Sequence, residues 1–464
     1  MLNMRANSAA STPEARNPMT QQRSFDLAVI GGGLAGLAAA TYAARAGRSV
    51  VLFERAPQVG GRATTQNRDG YLFNQGPHAL YRAGHGVGVL RELGISWHGA
   101  PPAPEGSWAM SGGRNYLLPR TPVALQESGL LSPEAAMETA SVFARLTPQY
   151  DLTPWQHRSW REWLASEVTH PETRALLGGL MRLSTYCNDD AVQSAGAALS
   201  QFIMGGAGVD YLDGGWQSLV DSLRDAAMEA GVQLETRSAV DAIHSLDSKA
   251  SIRLVDGQLY EVRAAISTVS PNAIAAAVND GKVAALRQWA REATPIHAGC
   301  LDIALRRLPN PQNQFAIGLD RPLYYSVHTR SARLAPEGGA IIQLAKYHSS
   351  GAEDTGAEVE QELETLMDEL QPGWRDELVA KRFLPRMLVA NAIAAAAQGG
   401  TSGRPGPAVP EIANLFVAGD WVGPHGMLAD ASLASARDAT ALALEWLGSS
   451  AGDGIASGEF AVVE

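Results

Sequence analysis

At 464 residues the chain is too long for a peptide or one small module, and a composition 45% hydrophobic and 18% charged provides for a buried core. Its 37 Lys and Arg against 48 Asp and Glu leave a formal charge of −11 with no Lys/Arg-rich stretch, so no nucleic-acid partner is expected. Cys187 and Cys300 form no CxxC spacing, which suggests neither a disulfide framework nor a thiolate metal site and fits a reducing cytoplasm.

Residues 1–24 lack the apolar run of a secretory signal and are rich in Ser, Asn, Gln and Pro, so a disordered leader is expected. Residues 25–56 then read as an apolar strand, a glycine turn, an Ala-rich helix, Gly47 as a stop, and a second apolar strand ending in Glu54. That order predicts a βαβ unit with both strands buried. Residues 101–209 change character and read as mainly helical. Here Trp155, Trp160 and Trp163, with Arg158 and Arg161 between them, fit either an interfacial patch that admits an apolar substrate from a membrane or ordinary core packing. Residues 210–289 return to the earlier style, with a hairpin turning at Asp256-Gly257. Residues 290–404 alternate strand-like runs with a helix near 357–371 whose apolar face carries Val359, Leu363, Met367 and Leu370; its acidic face is expected in water. Residues 405–448 give a buried strand, a Gly-Asp turn, a loop and a closing helix, and 449–464 a flexible tail.

Gly31-x-Gly33-x-x-Gly36 follows a strand and opens a helix, the context of a dinucleotide fingerprint. Gly31 permits the tight turn, Gly33 the close approach of a pyrophosphate, and Gly36 the packing of helix on strand, while the N–H groups at Leu34 and Ala35 begin the helix that receives the phosphates. Glu54, with Arg55 beside it, ends the second strand 18 positions beyond Gly36, where a carboxylate can accept the ribose hydroxyls of an adenosine.

Six positions further comes Gly60-Gly61-Arg62, then Gly76-Pro77-His78, and near the other end the VAGD of residues 417–420. With these motifs the sequence resembles the flavin amine oxidase superfamily from about residue 25 to 447, and the segments DGGWQSLVDSL, AAISTVSP and NLFVAGDW resemble its phytoene desaturase and protoporphyrinogen oxidase branch. The resemblance implies FAD as cofactor, and an α/β fold in which a Rossmann-like FAD-binding domain of the glutathione reductase 2 type (25–100, 210–289 and 405–448) is interwoven with an α+β substrate domain (101–209 and 290–404). It implies contacts of Gly61 and Arg62 with the pyrophosphate, of Val240 with adenine, and of Gly419 and Asp420 with the ribityl chain and phosphate. The loop Gly76, Pro77 and His78 would lie near the flavin ring, and Met427, Leu428, Ala429 and Ser432 would start a helix beneath its pyrimidine edge.

His78 and His425 are the candidate catalytic side chains, each with a structural loop role as the alternative. Tyr186, Tyr211, Tyr324 and Trp421 are candidates for a pocket that takes a flat or conjugated substrate, with core packing as the alternative. The Lys that amine oxidases carry on a substrate-domain strand is absent from IHAGCLDIALRRL, where Gly299 or Cys300 takes its place. The expected activity is hydride transfer from a substrate C–H bond to flavin N5, desaturating an apolar or ring-containing small molecule, with room for a peripheral membrane contact. Oxidation of a small amine and a non-catalytic role like that of GDP-dissociation inhibitors and Rab escort proteins stand as alternatives.

Overall fold

The computed structural model describes residues 23–246 and 248–449; the expected leader and tail lie outside them, except that Arg23 and Ser24 already belong to the first strand and Ser449 caps the last helix. The glycine turn after strand Arg23–Ile30 leads into helix Leu34–Arg45 and strand Val50–Phe53, and the two strands pair in parallel. Gly47, at φ +80°, supplies the left-handed residue that ends the helix. Strand Leu259–Ser267 pairs in parallel on the other side of Arg23–Ile30, followed by Ile412–Val417, while Gln233–Glu235 extends the far edge. The hairpin of Lys249–Leu254 and Leu259–Ser267 turns at Gly257, and Val240–Leu246 completes the antiparallel flank. This eight-stranded sheet is covered on both faces, as its nearly continuous apolar strands require. Leu27 and Val29 point towards Leu34–Arg45, Gln217–Glu229 and the closing helix Leu428–Gly448; Ala28 and Ile30 point the other way.

A second, seven-stranded sheet is built on Ile296–Leu305, flanked by Leu378–Ala390 and Ala340–Tyr347. The region expected to be mainly helical also supplies two of its strands, Ser107–Ser111 and Arg114–Leu117, a hairpin whose turn, Gly112-Gly113, takes positive φ at both residues. Helix Gly356–Leu370 packs Val359, Leu363, Met367 and Leu370 on one face of this sheet together with Leu301, Ile303 and Leu305. The alternate residues Ala298, Cys300 and Asp302 therefore face the opposite way, towards the first sheet. Trp160 and Trp163 are buried and stacked with centroids 4.8 Å apart, so the three tryptophans form no interfacial patch; only Trp155 stays half-buried, under Arg158. Among the described residues no helix is long and apolar enough to cross a membrane.

Candidate active site and cofactor cavity

A cavity of 680 Å³ lies between the two sheets. Two helix N-termini open onto it, those of Leu34–Arg45 and Leu428–Gly448, and neither is capped by a side chain. Their first-turn N–H groups and positive dipole ends suit an electron-rich ligand. The glycine turn that aims the first helix is sterically committed. A Cβ at Gly36 would sit 1.8 Å from the Gly31 carbonyl oxygen, Gly31 itself has φ +102°, and a Cβ at Gly33 would meet nothing within 4 Å, leaving open space for a ligand.

Leu34, Ala35, Gly33, Arg62, Pro77, His78, Gly419, Asp420, Leu428, Ala429 and Ser432 line the cavity. Gly31, Gly36, Gly61, Gly76 and Met427 stand behind this lining and shape its turns. Arg62 donates to Asp420 at 2.6 Å and to the Val389 carbonyl at 2.7 Å. Asp420 is buried and takes a further bond from Asn391 Nδ2 at 2.8 Å, so its carboxylate is held in place from two sides. Leu428 has φ +55°, a strained conformation for a non-glycine residue, at the point where the chain enters the closing helix.

Glu54, Arg55 and Val240 lie beyond the cavity, at the carboxyl end of the parallel strands. The Glu54 carboxylate accepts from Gly32 N and Ala56 N, both at 2.8 Å, and its carbonyl accepts from Ser238 N, which draws the start of the Val240 strand beside it.

His78 is half-buried on the cavity wall. Burial, assisted by nearby Arg62 and Arg382, lowers its pKa to about 4, so its imidazole is neutral near pH 7. Its Nδ1 lies 3.0 Å from the Gly76 carbonyl, which also accepts Gln343 Nε2 at 3.0 Å. A proton on Nδ1 satisfies that bond and leaves Nε2 as an acceptor. Gly76 is packed hard against the second sheet, since a Cβ there would lie 2.9 Å from Cys300 Sγ and from Met387 Sδ. Of the two residues considered for the missing Lys, Cys300 is thus the one that faces the site; a Cβ on Gly299 would strike Val359 on the other face of the sheet.

Tyr186, Tyr211 and Tyr324 also line the cavity, and the Tyr186 hydroxyl donates to the Pro77 carbonyl at 2.8 Å. Two expectations are corrected. Trp421 is 2% exposed in the core behind the first sheet, where its Nε1 donates to Val269 O, so it cannot touch a substrate in this cavity. His425 turns outwards beside His85 and lies 4.0 Å from Asp438, because Gly426, at φ +65°, directs the loop away before the helix begins.

Sequence reasoning missed Gln75, Trp216, Thr268, Met387, Asp430 and Arg120 in the lining. Asp430, in the first turn of the closing helix, accepts Gly86 N at 2.7 Å, and burial raises its pKa to about 6. Its acidic residue type at a helix start was the available signal. Gln75, Trp216 and Thr268 stand in or beside segments that carried the resemblance, whereas Met387 and Arg120 come from a strand and a connection remote from any motif and carried none.

The family model for flavin containing amine oxidoreductases matches residues 34–443. The chain belongs to that family. It is therefore an FAD-dependent oxidoreductase, which sets aside the non-catalytic alternative, and the glycine cradle, the two open helix ends and the Arg62–Asp420 pair fit that cofactor. Among flavin amine oxidoreductase relatives, the chain is 22% identical to a 4,4'-diapolycopen-4-al dehydrogenase of Metabacillus indicus over 461 aligned residues, covering 86% of this chain and 93% of the relative. It is 50% identical over 52 residues to a carotenoid 3,4-desaturase of Haloarcula japonica, a match confined to 11% of this chain and 10% of that one. Its fold matches that of putrescine oxidase bound to putrescine with a TM-score of 0.70, at 15% identity, over 92% of this chain and 100% of that structure.

Proposed function

We propose that this family member dehydrogenates an apolar or ring-containing small molecule at a C–H bond, leaving a C=C or C=N bond. FAD supplies the hydride-accepting chemistry. The observation that carries the reading is the cavity itself, which runs from the two helix N-termini into a space walled by Phe143, Leu146, Leu180, Leu183, Phe202 and Ile203. The apolar wall excludes water and holds the substrate carbon in place, which is the protein's share of such a reaction. Residues 25–100, 210–289 and 405–448 are assigned to cofactor binding, and 101–209 and 290–404 to the substrate. In this assignment the N–H groups of Leu34 and Ala35, with Arg62, hold the pyrophosphate; Glu54 and Val240 hold the adenosine; Gly419, Asp420, Leu428, Ala429 and Ser432 hold the ribityl and flavin portion. His78, neutral with Nε2 free to accept, orients the substrate or takes a proton from it. The match to a carotenoid 3,4-desaturase and the lack of a Lys on Ile296–Leu305 favour this reading over amine oxidation.

Addition of polyene, porphyrinogen and amine candidates one at a time to the anaerobic holoenzyme tests it. Bleaching of the flavin band by a polyene or porphyrinogen supports the proposal. Bleaching by amines alone, with prompt peroxide formation in air, overturns it.

A further inference from the structure

The cavity walls differ in chemistry. Helices Pro133–Arg145, Pro171–Thr185 and Ala195–Gly205 contribute Phe143, Leu180, Leu183, Phe202 and Ile203. The strand side carries Tyr211 and Tyr324, and the connection after Arg114–Leu117 carries Arg120. The Tyr211 hydroxyl lies 3.2 Å from those of Tyr324 and Ser326, and Tyr324 lies 3.3 Å from Nε2 of His328, whose ring stacks on Tyr211 at 3.8 Å.

Arg120 donates to Ser107 Oγ at 3.1 Å and makes no salt bridge among the described residues. It is an exposed residue of the wall, with Glu105 and Tyr211 as the groups that act on its charge. The cavity's own carboxylates are engaged elsewhere, Asp420 by Arg62 and Asn391, and Asp430 by Gly86 N. A cation on the wall of a largely apolar space, with donor capacity to spare, is matched by an anionic oxygen and repels an ammonium group. The Tyr211 and Tyr324 hydroxyls are already hydrogen-bonded to one another, to Ser326 and to His328, so the guanidinium, with donors to spare, is the group that a carboxylate engages and a plain hydrocarbon does not.

We infer that the cavity takes an amphipathic substrate whose carboxylate is held by Arg120 and whose apolar body lies along the helical wall, with Tyr211 and Tyr324 as the hydroxyl contacts between. The inference rests on reading this cavity as the substrate site and narrows the substrate class within it. Arg120 acts as a specificity-determining residue.

The test is calorimetric titration of the holoenzyme at pH 8 with dodecanoate, dodecanol and dodecylammonium, each below its micellar range. Dodecanoate is expected to bind about tenfold or more tightly than dodecanol, and dodecylammonium most weakly. Arg120→Gln removes the carboxylate preference at unchanged flavin content, Arg120→Lys retains most of it, and Tyr211→Phe weakens dodecanoate a few-fold. Equal binding of dodecanoate and dodecanol by the unaltered enzyme overturns the inference, as does failure of all three to bind or a preference that survives in Arg120→Gln. The ranking with unaltered enzyme decides the matter even if a variant fails to fold. A carboxylate preference without flavin bleaching by any candidate would sink the dehydrogenation proposal and leave this one standing; bleaching without the preference would do the reverse.

Discussion

Glu54 is held by two backbone N–H groups, so its carboxylate sits at the strand end whether or not a ligand is present. In the assignment proposed above, reversing its charge removes the ribose acceptor and places a cation against the glycine turn. Glu54→Arg is therefore expected to weaken flavin retention by about tenfold or more, roughly 1.4 kcal/mol, measured as the ratio of flavin to protein absorbance after gel filtration. Unchanged flavin content would count against the cofactor assignment. His328 makes a second residue-scale prediction. Burial, with a smaller effect of His78, lowers its pKa to about 3, below the ordinary value of 6.5. The unfolded chain takes up the proton first as pH falls, so this residue's contribution is complete above pH 6.5 and declines through the interval down to about 3. His78 acts in the same direction. Asp430, raised to about 6 by burial, acts oppositely, because the native state protonates first and gains stability on acidification between 6 and 3.8. His328→Gln isolates one contribution: its unfolding free energy should fall less between pH 6.5 and 4.5 than that of the unaltered protein, by about 1 to 2 kcal/mol. Urea titrations at both pH values measure the difference, and parallel profiles would refute it.

At the scale of elements, the second sheet is fastened to the cofactor side by a buried ion pair. Arg382 Nε lies 3.1 Å from Asp302 Oδ2, and the same guanidinium donates to the Asn74 carbonyl just before the His78 loop. Removing either partner strands a charge in a site with almost no solvent contact. Asp302→Ala or Arg382→Ala alone should cost about 3 to 5 kcal/mol, whereas the double change Asp302→Leu with Arg382→Met should cost less than either. Denaturant unfolding of the three variants checks this, and simple additivity would show that the pair is not coupled. The helix Gly356–Leu370 shows a gentler use of charge. Its acidic face was expected to be merely solvated, yet Glu360 and Glu364 reach Lys381 at 2.7 and 2.6 Å, and Glu362 reaches Lys346 at 2.8 Å, so part of that face ties the helix to neighbouring strands. Helical spacing revealed the apolar stripe; it could not reveal cations brought in by other strands.

For the whole molecule, the cavity lies where the two sheets meet, and its lining is gathered from residue 33 to residue 432. A ligand that fills it binds the native arrangement and not the unfolded chain. FAD at about a thousand times its dissociation constant should then add about 4 kcal/mol to stability, and stripped protein should unfold at a lower temperature until FAD is restored. Scanning calorimetry of stripped and restored protein measures the shift, and identical transitions would mean that the cofactor does not bridge the two parts.

What the chain determined by itself is local: the strand, glycine turn, helix and acid-ended strand of residues 25–54, Gly60-Gly61-Arg62, and the Gly-Asp turn before the closing helix. Each depends on backbone conformation or on residues a few positions apart, and such constraints are written directly into sequence spacing. Tertiary structure alone decided which side chains share the cavity. It brought Arg120 and Met387 to the wall, set Cys300 rather than Gly299 towards Gly76, and buried Trp421 while turning His425 out to solvent. Those outcomes follow from strand register, where one step reverses a side chain's face, and from the packing of distant segments, for which a linear pattern holds no signal.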